Sequence, residues 1–158
     1  MSSAPTDRDP ERIAAMFDRI VPHYDLMNRL MTMGLDRRWR AAAATAAAPP
    51  PGGPVLDVCC GTGDLSLALV QRYPGAAVTG LDFSEAMLDR ARAKAARAGA
   101  PVEFVCGDLL ALPFDDATFG AVTAGWGVRN VADLERAFAE MVRVAAPGAH
   151  VVCLEATT

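Results

Sequence analysis

The stretch Val55-Leu56-Asp57-Val58-Cys59-Cys60-Gly61-Thr62-Gly63-Asp64 decides how the rest of the chain is read. An apolar run ends in Gly-x-Gly, and an amphipathic run follows at once. The pattern predicts a strand, a tight loop and a helix. Glycines there let backbone N–H groups and a helix N-terminus approach a ligand with no Cβ in the way. A second acid, Asp82, closes the next apolar run. At a strand end it is suited to accept hydrogen bonds from the two hydroxyls of a ribose.

The same alternation of apolar runs and amphipathic stretches continues along the chain. Strands are predicted at Pro54–Cys59, Ala77–Asp82, Val102–Cys106, Phe119–Ala124 and His150–Glu155, and helices at Asp64–Arg72, Ser84–Ala98 and Ala132–Val144. The strands are continuous apolar runs, as expected when helices cover both faces of a sheet. Strands of four to eight residues separated by helices predict an α/β fold with a parallel sheet and right-handed crossovers.

On the N-terminal side, Pro49-Pro50-Pro51-Gly52-Gly53 is the strongest break in the chain. It divides a helical N-terminal extension, residues 1–53, from a ligand-binding core, residues 54–158, in what reads as one domain overall. Within the extension, Asp9-Pro10 marks a helix start carrying Ile13, Met16, Phe17, Ile20 and Val21. Pro22 interrupts. A second amphipathic stretch with Leu26, Met27, Leu30, Met31 and Met33 ends at Gly34, and a third begins near Asp36 and runs through Trp39 into alanines 41–48.

Composition narrows the function. The chain has 158 residues, 52% hydrophobic, with a formal net charge of -4. One soluble domain of this size buries enough surface to need no staple. An acidic balance argues against nucleic acid as a partner, because phosphate binding needs a concentrated positive face. There is no apolar run long enough for a membrane span, and the polar start lacks the core of a signal peptide. A cytoplasmic enzyme is expected. The four cysteines form no CxxC pair, so they read as buried hydrophobes with no metal site.

Two ligands suit the strand–loop–helix–acid unit: a dinucleotide and S-adenosylmethionine. Dinucleotide sites place a third glycine three residues after the second, beside the pyrophosphate. Here that position is Ser66. Asp64 in the first helical turn, with Asp57 and Asp82, gives a negative mouth that favours a sulfonium over a pyrophosphate. A third acid in Cys106-Gly107-Asp108-Leu109 again falls at a strand end. There Asp108 is placed to accept from an exocyclic amine, and the Leu109 N–H to donate to a ring nitrogen.

Several segments carry a resemblance. They are Met16-Phe17-Asp18, Tyr24-Asp25-Leu26-Met27-Asn28, Gly34-Leu35-Asp36-Arg37-Arg38-Trp39-Arg40, Gly61-Thr62-Gly63-Asp64, Asp82-Phe83-Ser84, Leu112-Pro113-Phe114 and Gly127-Val128-Arg129-Asn130-Val131. In this order the chain strongly resembles the ubiquinone/menaquinone biosynthesis C-methyltransferases from residue 12 to about 155. The resemblance implies a Rossmann-like class I S-adenosylmethionine-dependent methyltransferase fold. It implies methylation of a ring carbon of a polyprenyl quinol such as demethylmenaquinol. Carried over by position, Thr62, Asp82, Asp108 and Leu109 are expected cofactor contacts; the loop reading itself adds Asp57, Gly61 and Gly63. Gly125 stands where some members carry a serine that contacts the cofactor.

Two departures stand out. Trp126-Gly127-Val128-Arg129-Asn130 replaces the family's commoner Phe-Gly-Leu-Arg-Asn. Members are also normally longer, so the last strands are expected to be missing, the fifth strand to form an open edge, and the chain to be prone to dimerise through it.

A quinol ring carbon is a poor nucleophile until the neighbouring hydroxyl loses its proton, so a base or a phenolate-stabilising cation is required. Arg129, a permanent cation, is the first candidate, with Asn130 beside it. Its structural alternative is an ion pair with an acid such as Asp133. Tyr24 and Asp25 are expected to fold over the site, and the alternative for them is helix capping near Pro22. The methionines of the second stretch fit a greasy entry for a polyprenyl tail with transient peripheral membrane contact. Competing readings are another small-molecule methyltransferase with the same cofactor half and a non-catalytic cofactor-binding remnant.

Overall fold

The computed structural model describes Asp25, Leu30 and residues 32–155. Five strands form one sheet: β1 (Val55–Val58), β2 (Val78–Asp82), β3 (Val102–Cys106), β4 (Phe119–Gly125) and β5 (Ala145–Leu154). Their order is β3-β2-β1-β4-β5, and every pairing is parallel. Helices α1 (Asp36–Ala47), α2 (Asp64–Arg72), α3 (Glu85–Ala98) and α4 (Leu134–Val144) join them, with short 3-10 turns at Leu109–Ala111 and Val128–Asn130.

Residue alternation along β1 sorts the core into two layers. Val55, with Ala121 of β4, packs against Ala43, Ala44 and Ala47 of α1 and Leu65 and Leu69 of α2. Leu56 and Val58, with Val122 and Ala124, meet Ala137, Met141 and Val144 of α4 on the opposite face. The alanines after Trp39 therefore form a packed helix face inside the same core as the sheet. At about 25 cal/mol per Å² of apolar surface removed from water, burial of these strands on both faces dominates the stability.

Helix starts and stops follow local chemistry. Ser84 caps α3 by accepting from the Met87 N–H, and Gly99 closes it in the left-handed region. Asp133 caps α4 by accepting from the Arg136 N–H at 3.0 Å. The first helix stops at Ala47, one residue short of the expected end. Ala48 turns left-handed at φ 37°, since the proline that follows disfavours the helical region.

One boundary differs more. β5 begins at Ala145 straight after α4, five residues before the expected start at His150, and its register against β4 shifts between Phe119 and Ala121. Pro147 and left-handed Gly148 (φ 81°) hid this portion. Among the described residues β5 is the outer strand of the sheet, and an outer strand tolerates both because one of its edges has no ladder to complete. His150 Nδ1 lies 3.3 Å from Ala47 O at the C-terminus of α1.

Candidate active site

In an open parallel sheet, ligands bind beyond the carboxyl ends of the strands where the chain reverses its direction of travel. Here that point lies between β1 and β4. A cavity of about 220 Å³ occupies it, with Gly61 after β1, Asp82 and Phe83 at the end of β2, Gly107–Leu110 after β3, and Gly125–Gly127 with Asn130 after β4. The cavity thus gathers Gly61, Asp82, Asp108, Leu109, Gly125 and Asn130 from the residues expected of the sequence.

The walls are shaped by unusual backbone. Cys59 and Trp126 both take left-handed conformations, at φ 52° and 55°, and such strain concentrates at ligand sites. A Cβ on Gly127 would stand 2.2 Å from the Cys59 Cβ, so the exits of β1 and β4 touch at a point where only glycine fits. At Gly63, the start of α2, φ is 83° and a Cβ would meet Ala91 and Phe104 at 3.1 Å.

Asp82 is nearly enclosed. Its Oδ2 accepts from the Gly61 N–H at 2.8 Å and its Oδ1 from the Ser84 N–H at 3.0 Å. Burial raises its carboxyl above the ordinary value, against the pull of those N–H groups. The Gly63 N–H donates to Cys60 O at 2.9 Å. Two of the loop amides expected to face a ligand are therefore spent inside the protein, the Gly61 N–H holding the loop to β2 and the Gly63 N–H closing the loop on itself. Asp108 accepts from the Leu110 N–H at 2.8 Å. Leu109, as the first residue of its 3-10 turn, carries an N–H that the turn itself does not use.

Other expected site residues lie elsewhere. Asp57, anticipated at the cofactor, is fully buried beneath the loop, accepting from Ser66 Oγ at 2.6 Å and Thr123 Oγ1 at 2.8 Å. Desolvation pushes its carboxyl up to about 6. Ser66, the residue in place of the third glycine, thus serves Asp57. The Thr62 hydroxyl points away from the cavity, donating to Asp25 Oδ1 at 2.6 Å. Lys94 Nζ closes this cluster at 2.7 Å from Asp25, 2.6 Å from Asp64 and 3.1 Å from Thr62. Burial raises the Asp25 carboxyl, but the hydrogen bonds from Lys94 and Thr62 outweigh it and hold the group below 3.8. Asp64 meets Lys94 and, at 3.3 Å, Arg40, so it does not contribute to a negative mouth of the cavity. Tyr24 lies outside the described residues.

Arg129 stands beside the cavity rather than in its wall. Its side chain is 56% exposed, with Nε 3.7 Å from Glu155 Oε2. Asp133, the acid weighed as its partner, caps α4 instead. Sequence reasoning missed Lys94, Arg40 and Glu155. Lys94 interrupts the buried stripe Met87, Ala91 and Ala95 of α3, which was a readable signal. Glu155 follows an apolar strand, the same signal that singled out Asp82 and Asp108.

A second cavity, of about 710 Å³, lies between α1, α2 and α3 and is lined by Asp25, Asp36, Arg40, Asp64 and Lys94. Size alone would favour it. Its acids, however, are already paired: Asp36 with Arg40 at 2.5 Å, and Asp25 and Asp64 with Lys94. Arg40 also lies 5.1 Å over the Trp126 ring, and Trp39 tilts against the same ring at 6.3 Å. This cluster braces the first cavity from behind.

Comparison with known proteins agrees with this architecture. Residues 5–158 match the model of the ubiE/COQ5 methyltransferase family. A demethylmenaquinone methyltransferase of Thermus thermophilus is 50% identical, covering 89% of this chain and 64% of the relative. Another from Roseiflexus castenholzii is 48% identical, covering 96% and 63%. The chain thus spans a little under two thirds of the length of these relatives. Among solved structures, the [4+2]-cyclase SpnF superposes with a TM-score of 0.82 at 25% identity, over 96% of this chain and 61% of that one. With a parallel sheet in 3-2-1-4-5 order and a family match along nearly its whole length, this chain belongs to the ubiE/COQ5 methyltransferase family.

Proposed function

We propose that the protein methylates a ring carbon of a polyprenyl quinol, demethylmenaquinol first among acceptors, using S-adenosylmethionine. The observation that carries this reading is the convergence of Asp82, Asp108 and Asn130 on one cavity at the switch point of the sheet. The relatives' names supply the acceptor class.

The residues present fit the cofactor. When bound, S-adenosylmethionine supplies a methyl group already activated on a sulfonium. Asp82 keeps lone pairs beyond those given to Gly61 and Ser84, and offers them to a ribose diol. Asp108 and the Leu109 N–H suit an adenine edge, and Gly125 leaves room for close backbone approach. Asp57, Thr62 and Gly63 hold the loop in shape from beneath. Leu81, Met87 and Leu110 help keep water out of the cavity.

For the acceptor, Asn130 on the cavity wall orients a ring oxygen, and Arg129 at its rim stabilises the phenolate that makes the ortho carbon nucleophilic. Leu30 and Met33 are largely exposed, next to Leu35, Trp39, Arg37 and Arg38. That mixture of apolar, indole and basic groups suits a polyprenyl tail at a membrane surface. Among the described residues, no helix is long and apolar enough to cross a membrane.

Fold alone does not select this reaction, since the similar SpnF is named a cyclase. The test is transfer of labelled methyl from S-adenosylmethionine to demethylmenaquinol in detergent. Labelled menaquinol is expected. Cofactor binding without transfer to either naphthoquinol or benzoquinol acceptors would remove the quinol reading and keep the cofactor site.

A further inference from the structure

Glu155 follows the last residue of β5, on the same edge of the sheet as Asp82 and Asp108. Both Oε atoms are closed off from solvent, and neither has a hydrogen-bond partner among the described residues. No other buried side-chain oxygen or nitrogen among them is left so. Buried polar groups are normally satisfied, and one that is not calls for an explanation.

Its neighbour supplies one. Gly125 pairs with Leu154, and the Trp126 N–H donates to Leu154 O at 2.8 Å. The chain then turns through Gly127 into the short helix bearing Arg129 and Asn130. This geometry sets Arg129 Nε 3.7 Å from Glu155 Oε2, close enough for charge attraction but too long for a hydrogen bond. Among the described residues, the Arg129 guanidinium donates no hydrogen bond. Those donors remain for an incoming oxyanion. The Cys59 thiol on the cavity wall, kept protonated first by burial, also feels Glu155 along with Asp82 and Asp57, so the carboxylate lies within electrostatic reach of the site.

We propose that Glu155 is a positioning residue for methyl transfer: from behind, its carboxylate holds the Arg129 guanidinium so that the terminal N–H groups face the cavity rim where the acceptor hydroxyl ionises. Glu155 itself makes no bond and moves no proton. The inference rests on the quinol-methylation reading above.

The experiment compares wild type, Glu155→Gln, Glu155→Asp, Arg129→Gln and the double variant Arg129→Gln/Glu155→Gln in the labelled-methyl assay with demethylmenaquinol, with cofactor affinity measured by calorimetry. Glu155→Gln is expected to lower kcat at least tenfold and leave cofactor Kd within twofold. Its melting temperature should not fall, because the variant removes a buried charge. Glu155→Asp, which keeps the charge at shorter reach, should fall between. In the Arg129→Gln background the same Glu155→Gln change should alter kcat less than twofold, because residues acting through one another are not additive. An unchanged kcat for Glu155→Gln, a full tenfold loss in both backgrounds, or a parallel loss of cofactor affinity would each overturn the proposal. A wild type that binds cofactor but methylates no quinol fails the underlying reading, and the proposal falls with it. A normally active wild type beside an indifferent Glu155→Gln fails the proposal alone.

Discussion

Asp82 and Asp57 show how two acids on neighbouring strands come to different ends. Asp82 reaches the cavity wall while fastening Gly61 and Ser84. Replacing it with alanine should weaken S-adenosylmethionine binding more than tenfold by calorimetry, since each charge-assisted hydrogen bond to the ribose is worth roughly 1.5–3 kcal/mol. Unchanged affinity would refute the ribose role. Asp57 is sealed from water, and burial lifts its carboxyl from 3.8 to about 6. Between those values the folded state keeps a proton that the unfolded chain has lost, so stability falls as pH rises through that window. At 1.36 kcal/mol per pH unit the loss reaches about 3 kcal/mol by neutrality. Asp57→Asn keeps partners for Ser66 and Thr123, whose hydroxyls can both donate and accept. Its advantage over wild type in urea melts should therefore grow from pH 4 to pH 7; a constant difference would count against the shift.

Between elements, close contacts carry the constraint. The exits of β1 and β4 meet at Cys59 and Gly127. Gly127→Ala should lower stability by about 1–3 kcal/mol, in the range of overpacked cores. Adding Cys59→Gly should recover most of it, since glycine also suits the left-handed backbone there. Thermal melts of the single and double variants decide this. On the other side of the loop, Lys94 of α3 joins Asp25, Thr62 and Asp64 of α2. Lys94→Met strips the half-buried Asp25 of its hydrogen-bonded cation and leaves it only the weaker pull of Arg90. Because the folded-state value of Asp25 lies below 3.8, its contribution is present above that pH and fades as pH falls through the folded value. The destabilisation should be clear at pH 7 and vanish in acid; a loss that persists at pH 2 would assign Lys94 to packing instead.

At the scale of the molecule, β1 lies at the centre of the sheet, flanked by β2 and β4 and covered on both faces. β3 is half-buried, and the start of β5 is exposed around Pro147 and Gly148. Hydrogen exchange should be slowest at Val55–Val58 and Ala121–Ala124 and faster at Val102–Cys106 and Ala145–Ala149, because local opening needs less buried area to be given up at the sheet margins. Equal protection across all five strands would contradict this ordering.

Local signals were enough for the five strands, the start of β5 excepted, and for the helices from Asp36 onward, and they pointed to the carboxyl edge where the cavity lies. Hydrophobic run length, turn residues and acids after apolar runs are local signals, and they were legible in Val55–Asp64, Asp82 and Asp108. The resemblance added the family, through segments that no periodicity explains. Which acids face the cavity depends on packing that no local pattern encodes. Asp57 and Asp82 both belong to apolar strands, yet one is consumed by Ser66 and Thr123 and the other reaches the wall. Thr62, Asp25 and Asp64 turned out to share Lys94, more than 30 residues from Thr62 along the chain. Arg129 met Glu155 instead of the nearby Asp133. In each case the outcome depends on which side chains the packed elements bring within a few ångströms, and hydrogen bonds and ion pairs form only at that range.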